Sequence, residues 1–213
     1  MSWFGRKPDA TPTLDSLQFD ASGWKYHGEQ QPNPMRVWET PEHDAVSLHF
    51  FAVAPDLPAC TSVAELTRFY EQSLKGSAAK VVECRLTQVA GCAAVRLIIK
   101  APQKPSGMMY QGALTLPFRD FSFVVKVQCP EVGMTGVREA ILFDERRAAG
   151  EMPAVGGAGP VFPGWNPDAP EHDARFPNHP ISRLRRLLDR IAQSATMDET
   201  VRRLPGFRLP AEE

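Results

Sequence analysis

Hydrophobic and polar positions alternate through four consecutive runs in the middle of the chain: Lys80–Gln88, Cys92–Ala101, Met108–Pro117 and Phe121–Cys129. In the last run Phe121, Phe123, Val125, Val127 and Cys129 point one way; Ser122, Val124, Lys126 and Gln128 point the other. Val82, Cys84 and Leu86 oppose Glu83 and Arg85, and Val95, Leu97 and Ile99 oppose Arg96 and Lys100. A period of two marks strands with one face buried. The pattern predicts an antiparallel meander, apolar on one face and charged on the other. Val89-Ala90-Gly91-Cys92 and Pro117-Phe118-Arg119-Asp120 supply tight turns, and Pro102–Gly107 a longer loop. Upstream, Trp24–His27, Met35–Glu39 and Ala45–Val53 read as three shorter strands.

The period becomes helical in between. Ser62-Val63-Ala64-Glu65 is a capping box, and Val63, Leu66, Phe69, Tyr70 and Leu74 follow as one stripe that stops at Gly76. A second helix runs from Thr135 to Ala148 with Val137, Ala140, Ile141 and Ala148 as its apolar face. Gly150–Pro180 is rich in glycine and proline and reads as an irregular connector. Its Gly156-Gly157-Ala158-Gly159 run lacks the glycine spacing, the following lysine and the preceding strand of a phosphate loop. Pro180 then opens a third helix. Ile181, Leu184, Leu187, Leu188 and Ile191 line one side of it, and Arg183, Arg185, Arg186 and Arg190 the remainder. Thr196-Met197-Asp198-Glu199 is a second capping box before a short terminal helix.

These elements define an α+β fold, an antiparallel sheet of about six strands flanked by helices. The chain divides into a flexible arm at 1–20, the sheet domain at 21–149, the Gly/Pro connector at 150–179 and a C-terminal helical extension at 180–213.

Charge and composition narrow the function. Lys and Arg (24) balance Asp and Glu (25), for a net charge of −1. That balance argues against broad attraction to nucleic acid or anionic lipid. No apolar run approaches the ~20 residues of a membrane span. Met1–Lys7 lacks the central apolar block of a secretion signal, so the expected location is cytoplasmic. Cys60, Cys84, Cys92 and Cys129 form no C-x-x-C pair and read as reduced thiols, with a Cys84–Cys92 cross-strand disulfide as the alternative. No cofactor motif and no catalytic constellation stands out.

Two features carry candidate chemistry. The pentapeptide Pro-Glu-His-Asp-Ala occurs at 41–45 and again at 170–174. If the fold joined the two copies, His43, Asp44, His172 and Asp173 would offer nitrogen and oxygen ligands to a divalent metal; apart, they are two polar turns. The second feature is the charged sheet face. Arg85, Arg96, Lys100 and Lys126, with Met109 and Tyr110 beside the Pro102–Gly107 loop, form the candidate partner-binding surface.

The element order resembles the PsbP-like fold superfamily over Trp24 to Arg147. The resemblance rests on that order, on Trp38-Glu39-Thr40-Pro41 before a strand, on Val89-Ala90-Gly91 in a hairpin turn and on Phe121–Val127 before a helix. It implies a binding module, because members are mostly non-catalytic and include bacterial adaptor chaperones for type VI secretion effectors. The expected function is a non-enzymatic accessory protein that binds another protein, as a chaperone, adaptor or immunity protein for a secreted bacterial effector or toxin. The alternative is a small hydrolase, metal-assisted through the two histidine turns. A chaperone is expected to show an exposed aliphatic concavity, and an immunity protein a charged patch.

Overall fold

The turn at Ala90-Gly91 takes positive φ at both residues, 52° and 74°. Two left-handed residues give the turn a twist that matches its flanking strands. The hairpin it closes is one edge of the main sheet. The computed structural model describes residues 11–31, 34–151, 154–156, 159–161 and 164–210. The short β1 (Leu17–Gln18) is followed by β2 (Lys25–Gln30), β3 (Met35–Glu39), β4 (Ala45–Phe51), α1 (Val63–Ser73), β5 (Lys80–Val89), β6 (Cys92–Pro102), β7 (Met108–Pro117) and β8 (Ser122–Pro130). Next come α2 (Val137–Ala148), the separate hairpin of β9 (Ala154–Gly156) and β10 (Gly159–Val161), α3 (Pro180–Ser194), β11 (Thr196–Met197) and α4 (Glu199–Arg202). Seven strands form one antiparallel sheet in the order β2-β3-β4-β8-β7-β6-β5.

Residues directly opposite one another share a face. Val46, Val127, Gly112 and Ile98 form one row across β4, β8, β7 and β6, and Leu48, Val125, Leu114 and Arg96 form the next. α3 lies on this face. Ile181, Leu184, Leu188 and Ile191 are fully buried and join one core with Val46, Val125, Val127, Phe123 and Leu114. Gly112 permits the close approach: a Cβ there would sit 2.8 Å from Leu188 Cδ1 and 3.1 Å from Leu184 Cδ1. α1 packs against β5 from the opposite face, where its Thr67 meets Cys84. Its capping box forms with a shift. Ser62 accepts from Glu65 N (3.2 Å), while the Glu65 carboxylate reaches Thr61 N (2.8 Å), one residue before the cap.

Several expectations need correction. Residues 11–20 do not form a loose arm: Leu14 and Leu17 are buried in the core, and β1 pairs with β11. The expected arm's first ten residues lie outside those described. The C-terminal helix is not an extension, because its Ile181, Leu184, Leu188 and Ile191 belong to the same core as the sheet. Thr196 sits in β11, and Asp198 caps α4 by accepting from Thr200 N at 2.8 Å. The sheet faces also divide differently. Val95, Leu97 and Ile99 share their side with Val124 and Lys126, whereas Arg96 and Lys100 lie on the α3 side. The charges tolerate that position because Glu83, Asp168 and Asp189 meet them beneath the helix. Cys84 pairs in register with Leu97 and Cys92 with Val89, so the two thiols do not face each other; all four cysteines are free.

The approach at Gly112 generates a double-mutant test. Gly112→Ala is expected to cost about 1–3 kcal/mol in the wild type by overpacking. Leu188→Ala is expected to cost about 2–5 kcal/mol alone and to absorb most of the penalty of the added methyl group. Chemical denaturation of the four proteins reads the coupling; equal penalties in both backgrounds would refute the contact. On the other face, burial and then the charge of Lys126 lower the His49 imidazole to about 4. The unfolded chain therefore binds more protons than the folded one between pH 6.5 and about 4, and stability falls as pH drops through that window. His49→Gln is expected to flatten this slope in melting temperatures measured from pH 7 to pH 5.

Candidate functional site

α2 turns its expected face outward. Of the predicted stripe, Val137 and Ile141 are 36% and 40% exposed, while the inward side carries Arg138 and Leu142. Two residues of the preceding turn, Val132 and Met134, are 83% and 84% exposed. A helix that hides an arginine and presents aliphatic side chains to water needs a reason on each side.

The reason on the inside is an ionic network. The Arg138 guanidinium, fully enclosed, donates to Pro167 O (2.7 Å), Ala169 O (2.8 Å), Asp173 Oδ1 (3.0 Å) and Ser182 Oγ (3.0 Å). Those partners come from the segment before α3 and from its first turn, so one side chain ties α2 to both. Arg185 of α3 continues the network to Asp173, Glu83 and Asp168 O. Tyr110 donates to Asp168 Oδ1 at 3.0 Å, and Lys100 pairs with the other oxygen of that carboxylate. Burial, reinforced by Asp168, pushes the Tyr110 phenol up. Burial opposes ionisation of Glu83, but Arg96, Arg85 and Arg185 together hold its carboxyl below the ordinary range.

Beside the network lies a second polar group with a different character. Ligand-capable atoms of Glu131, Glu139 and His179 all fall within 4.8 Å of one another. Glu131 follows β8, Glu139 sits in the first turn of α2, and His179 is the N-cap of α3, its Nδ1 accepting from Ile181 N at 3.4 Å. Glu131 is fixed by amides, with Oε1 accepting from Gly136 N (2.8 Å) and Oε2 from Met108 N (2.9 Å). Glu139 Oε2 and His179 Nε2 are buried without a hydrogen-bond partner. Burial raises the Glu139 carboxyl above its ordinary value; burial and then Arg138 lower the His179 imidazole to about 4. Glu131 and His179 also line an open cleft of about 610 Å³ whose other walls include Val132, Met134, Val137 and Phe176.

The residues singled out from the sequence are dispersed. Arg85, Arg96, Lys100 and Tyr110 lie on the α3 side of the sheet: Arg96 is buried against Glu83 (2.8 Å) and Asp189, and Arg85 pairs with Glu83 at 3.0 Å. Met109 and Lys126 lie on the opposite side, so the six do not share one surface. The two histidine turns are not joined as a metal centre. Asp44 is buried and held bidentately by Arg183 (2.8 and 2.9 Å), and His43 is exposed beside Glu39 (2.5 Å). Asp173 is taken by Arg138 and Arg185, and His172 lines a separate hollow with Glu145 and Arg175. Sequence reading missed Glu131, Glu139 and His179, which stand 8 and 40 residues apart along the chain with no spacing to connect them. The one local signal was the adjacent pair Arg138-Glu139 in the first turn of α2, between Val137 and Ala140.

No family model matches the chain, and no curated protein matches it. Solved structures share part of the architecture at low similarity. The Pseudomonas aeruginosa protein PA94, of unknown function, is 12% identical over 60% of this chain and 94% of its own, with a TM-score of 0.37. Cyanobacterial PsbP from Synechocystis is 11% identical over 66% of this chain and 88% of its own, with a TM-score of 0.36. LpqN of Mycobacterium tuberculosis, involved in cell envelope biogenesis, is 13% identical over 62% of this chain and 78% of its own, with a TM-score of 0.29. PsbP thus stands among the solved structures this chain weakly resembles.

Arg138 is the keystone of the region, and its removal is expected to be severe. Arg138→Met should cost about 3–5 kcal/mol, because Asp173 and two backbone carbonyls lose a buried donor. Arg138→Lys should recover little, since an ammonium lacks the planar fork that reaches four acceptors. Urea denaturation measures both; a loss under 1 kcal/mol for the methionine variant would show the network to be dispensable.

Proposed function

We propose that this protein is a non-enzymatic binding module that holds an apolar segment of another protein in the cleft between the turn at 131–137 and the segment at 175–183. The observation that carries the reading is the reversed helix: Val132, Met134, Val137 and Ile141 are exposed in succession beside a cleft of about 610 Å³. Contiguous exposed aliphatic side chains are costly in water and mark interaction sites. A methionine at the centre suits a surface that adapts to its occupant.

Charge favours the adaptor over the immunity protein. Arg96, Arg138, Arg183 and Arg185 are each committed to an internal carboxylate, so these four cannot serve as a basic patch for one acidic partner. The occupant is therefore read as an aliphatic segment, such as an amphipathic helix of a secreted effector, laid into the cleft by its apolar face. A hydrolase built on His43, Asp44, His172 and Asp173 lacks support, because arginines hold both aspartates. Among the described residues no helix is long and apolar enough to cross a membrane.

Affinity purification from the native host tests the reading. Wild-type protein is expected to recover one stoichiometric partner. The double variant Val132→Asp/Met134→Asp should lose it by at least about tenfold, as centrally placed apolar contacts do, with an unchanged melting temperature. Retention of the partner by the folded variant would place binding elsewhere, and recovery of no partner by either protein would sink the proposal.

A further inference from the structure

We propose that Glu131, Glu139 and His179 bind one divalent cation of the zinc class beside the cleft that Glu131 and His179 line. Their ligand-capable atoms converge within 4.8 Å from three different elements. Ligands at zinc distances stand about 3.4 Å apart, so closing on an ion needs side-chain adjustment only. The His179 side chain is 8% exposed, and its Nε2, without a hydrogen-bond partner, points at Glu131 with 3.9 Å to Oε1. Glu139 Oε2 is the second buried atom without a partner. Two such atoms, in a group whose ligand atoms converge within 4.8 Å, describe a space that lacks a positive centre.

The surrounding charges point the same way. Asp44, Glu83, Asp168 and Asp173 each pair with a lysine or arginine. Among the described residues, neither Glu131 nor Glu139 makes a salt bridge to one. Two enclosed carboxylates and one imidazole suit a dication, which offsets both acids at once. A mixed oxygen and nitrogen donor set favours zinc over calcium or magnesium. The amides of Gly136 and Met108 already orient Glu131, which is how outer contacts prepare a ligand. Glu131 and His179 line the cleft, which would give the ion a path of entry from solvent.

Ligation through Nε2 places the ring proton on Nδ1. That gives up the bond from Ile181 N, which is already long at 3.4 Å. The bound ion would join the end of β8, the start of α2 and the cap of α3, three walls of the same cleft. The site goes beyond the proposed function and does not depend on it.

The test uses the untagged full-length chain after chelator treatment and dialysis. Calorimetry with zinc chloride is expected to show one equivalent bound. Cobalt chloride should give visible absorption bands from a site with one imidazole. Glu139→Gln and His179→Asn should each weaken zinc binding by more than about 100-fold, beyond the 10–100-fold typical of losing an outer-shell partner. Circular dichroism checks that each variant is folded; if His179→Asn unfolds, Glu139→Gln decides alone. His43→Ala, which removes an exposed histidine beside Glu39, should leave binding unchanged. Absence of stoichiometric uptake by the wild type would overturn the proposal. So would uptake that survives Glu139→Gln, or uptake lost in His43→Ala.

Discussion

A guanidinium with no access to water organises this molecule's functional end. Arg138 is enclosed by α2, the segment before α3 and the first turn of α3, and its donors meet acceptors in all the surrounding structure outside its own helix. A buried charge is tolerated only when paired and hydrogen-bonded throughout, so its partners cannot drift without a large cost. The constraint sets the rotation of α2. With Arg138 and Leu142 turned inward, Val137 and Ile141 fall at the solvent edge of the helix, and Val137 becomes part of the cleft wall.

The rest of the fold supplies a rigid frame for that arrangement. α3 rests directly on the sheet because Gly112 leaves room for Leu184 and Leu188. Its arginines divide the work: Arg185 reaches down into the network, Arg183 clamps Asp44 in the turn between β3 and β4, and Arg190 reaches Asp20 near the N-terminal strand. One helix therefore binds segments that are more than a hundred residues apart in the chain. The cleft walls inherit that rigidity, since His179 caps the same helix and Glu131 directly follows a central strand. A site held by regular elements keeps its geometry better than one held by loops alone.

Legibility differed between fold and site for a definite reason. Alternation in Phe121–Cys129 and the stripe of Ile181, Leu184, Leu188 and Ile191 are local patterns, and both appear in the structure where they were expected. The alternation of β5 and β6 was equally clear, and its apolar side holds the buried Val95 and meets α1 at β5, but α3 covers the other side, which carries Glu83, Arg96 and Lys100. Period-two patterning distinguishes two sides of a strand but does not say which side a helix will cover. There Arg96 and Lys100 lie beneath α3 because Glu83, Asp189 and Asp168 neutralise them. Likewise Leu14 and Leu17 lie in a polar, Pro-bearing stretch whose composition suggested a loose arm; only their contact with the finished core reveals their role.

What the chain determined by itself was the kind and order of its elements: strands with tight turns, an N-capped helix before the meander, an amphipathic helix after a Gly/Pro stretch, and near-neutral charge. These follow from interactions between residues a few positions apart, where spacing alone carries the information. What only tertiary structure decided was the rotation of α2, the burial of charges beneath α3, and the meeting of Glu131, Glu139 and His179. Each depends on partners distant in sequence whose electrostatic energy exists only once the segments are brought together and water is excluded between them.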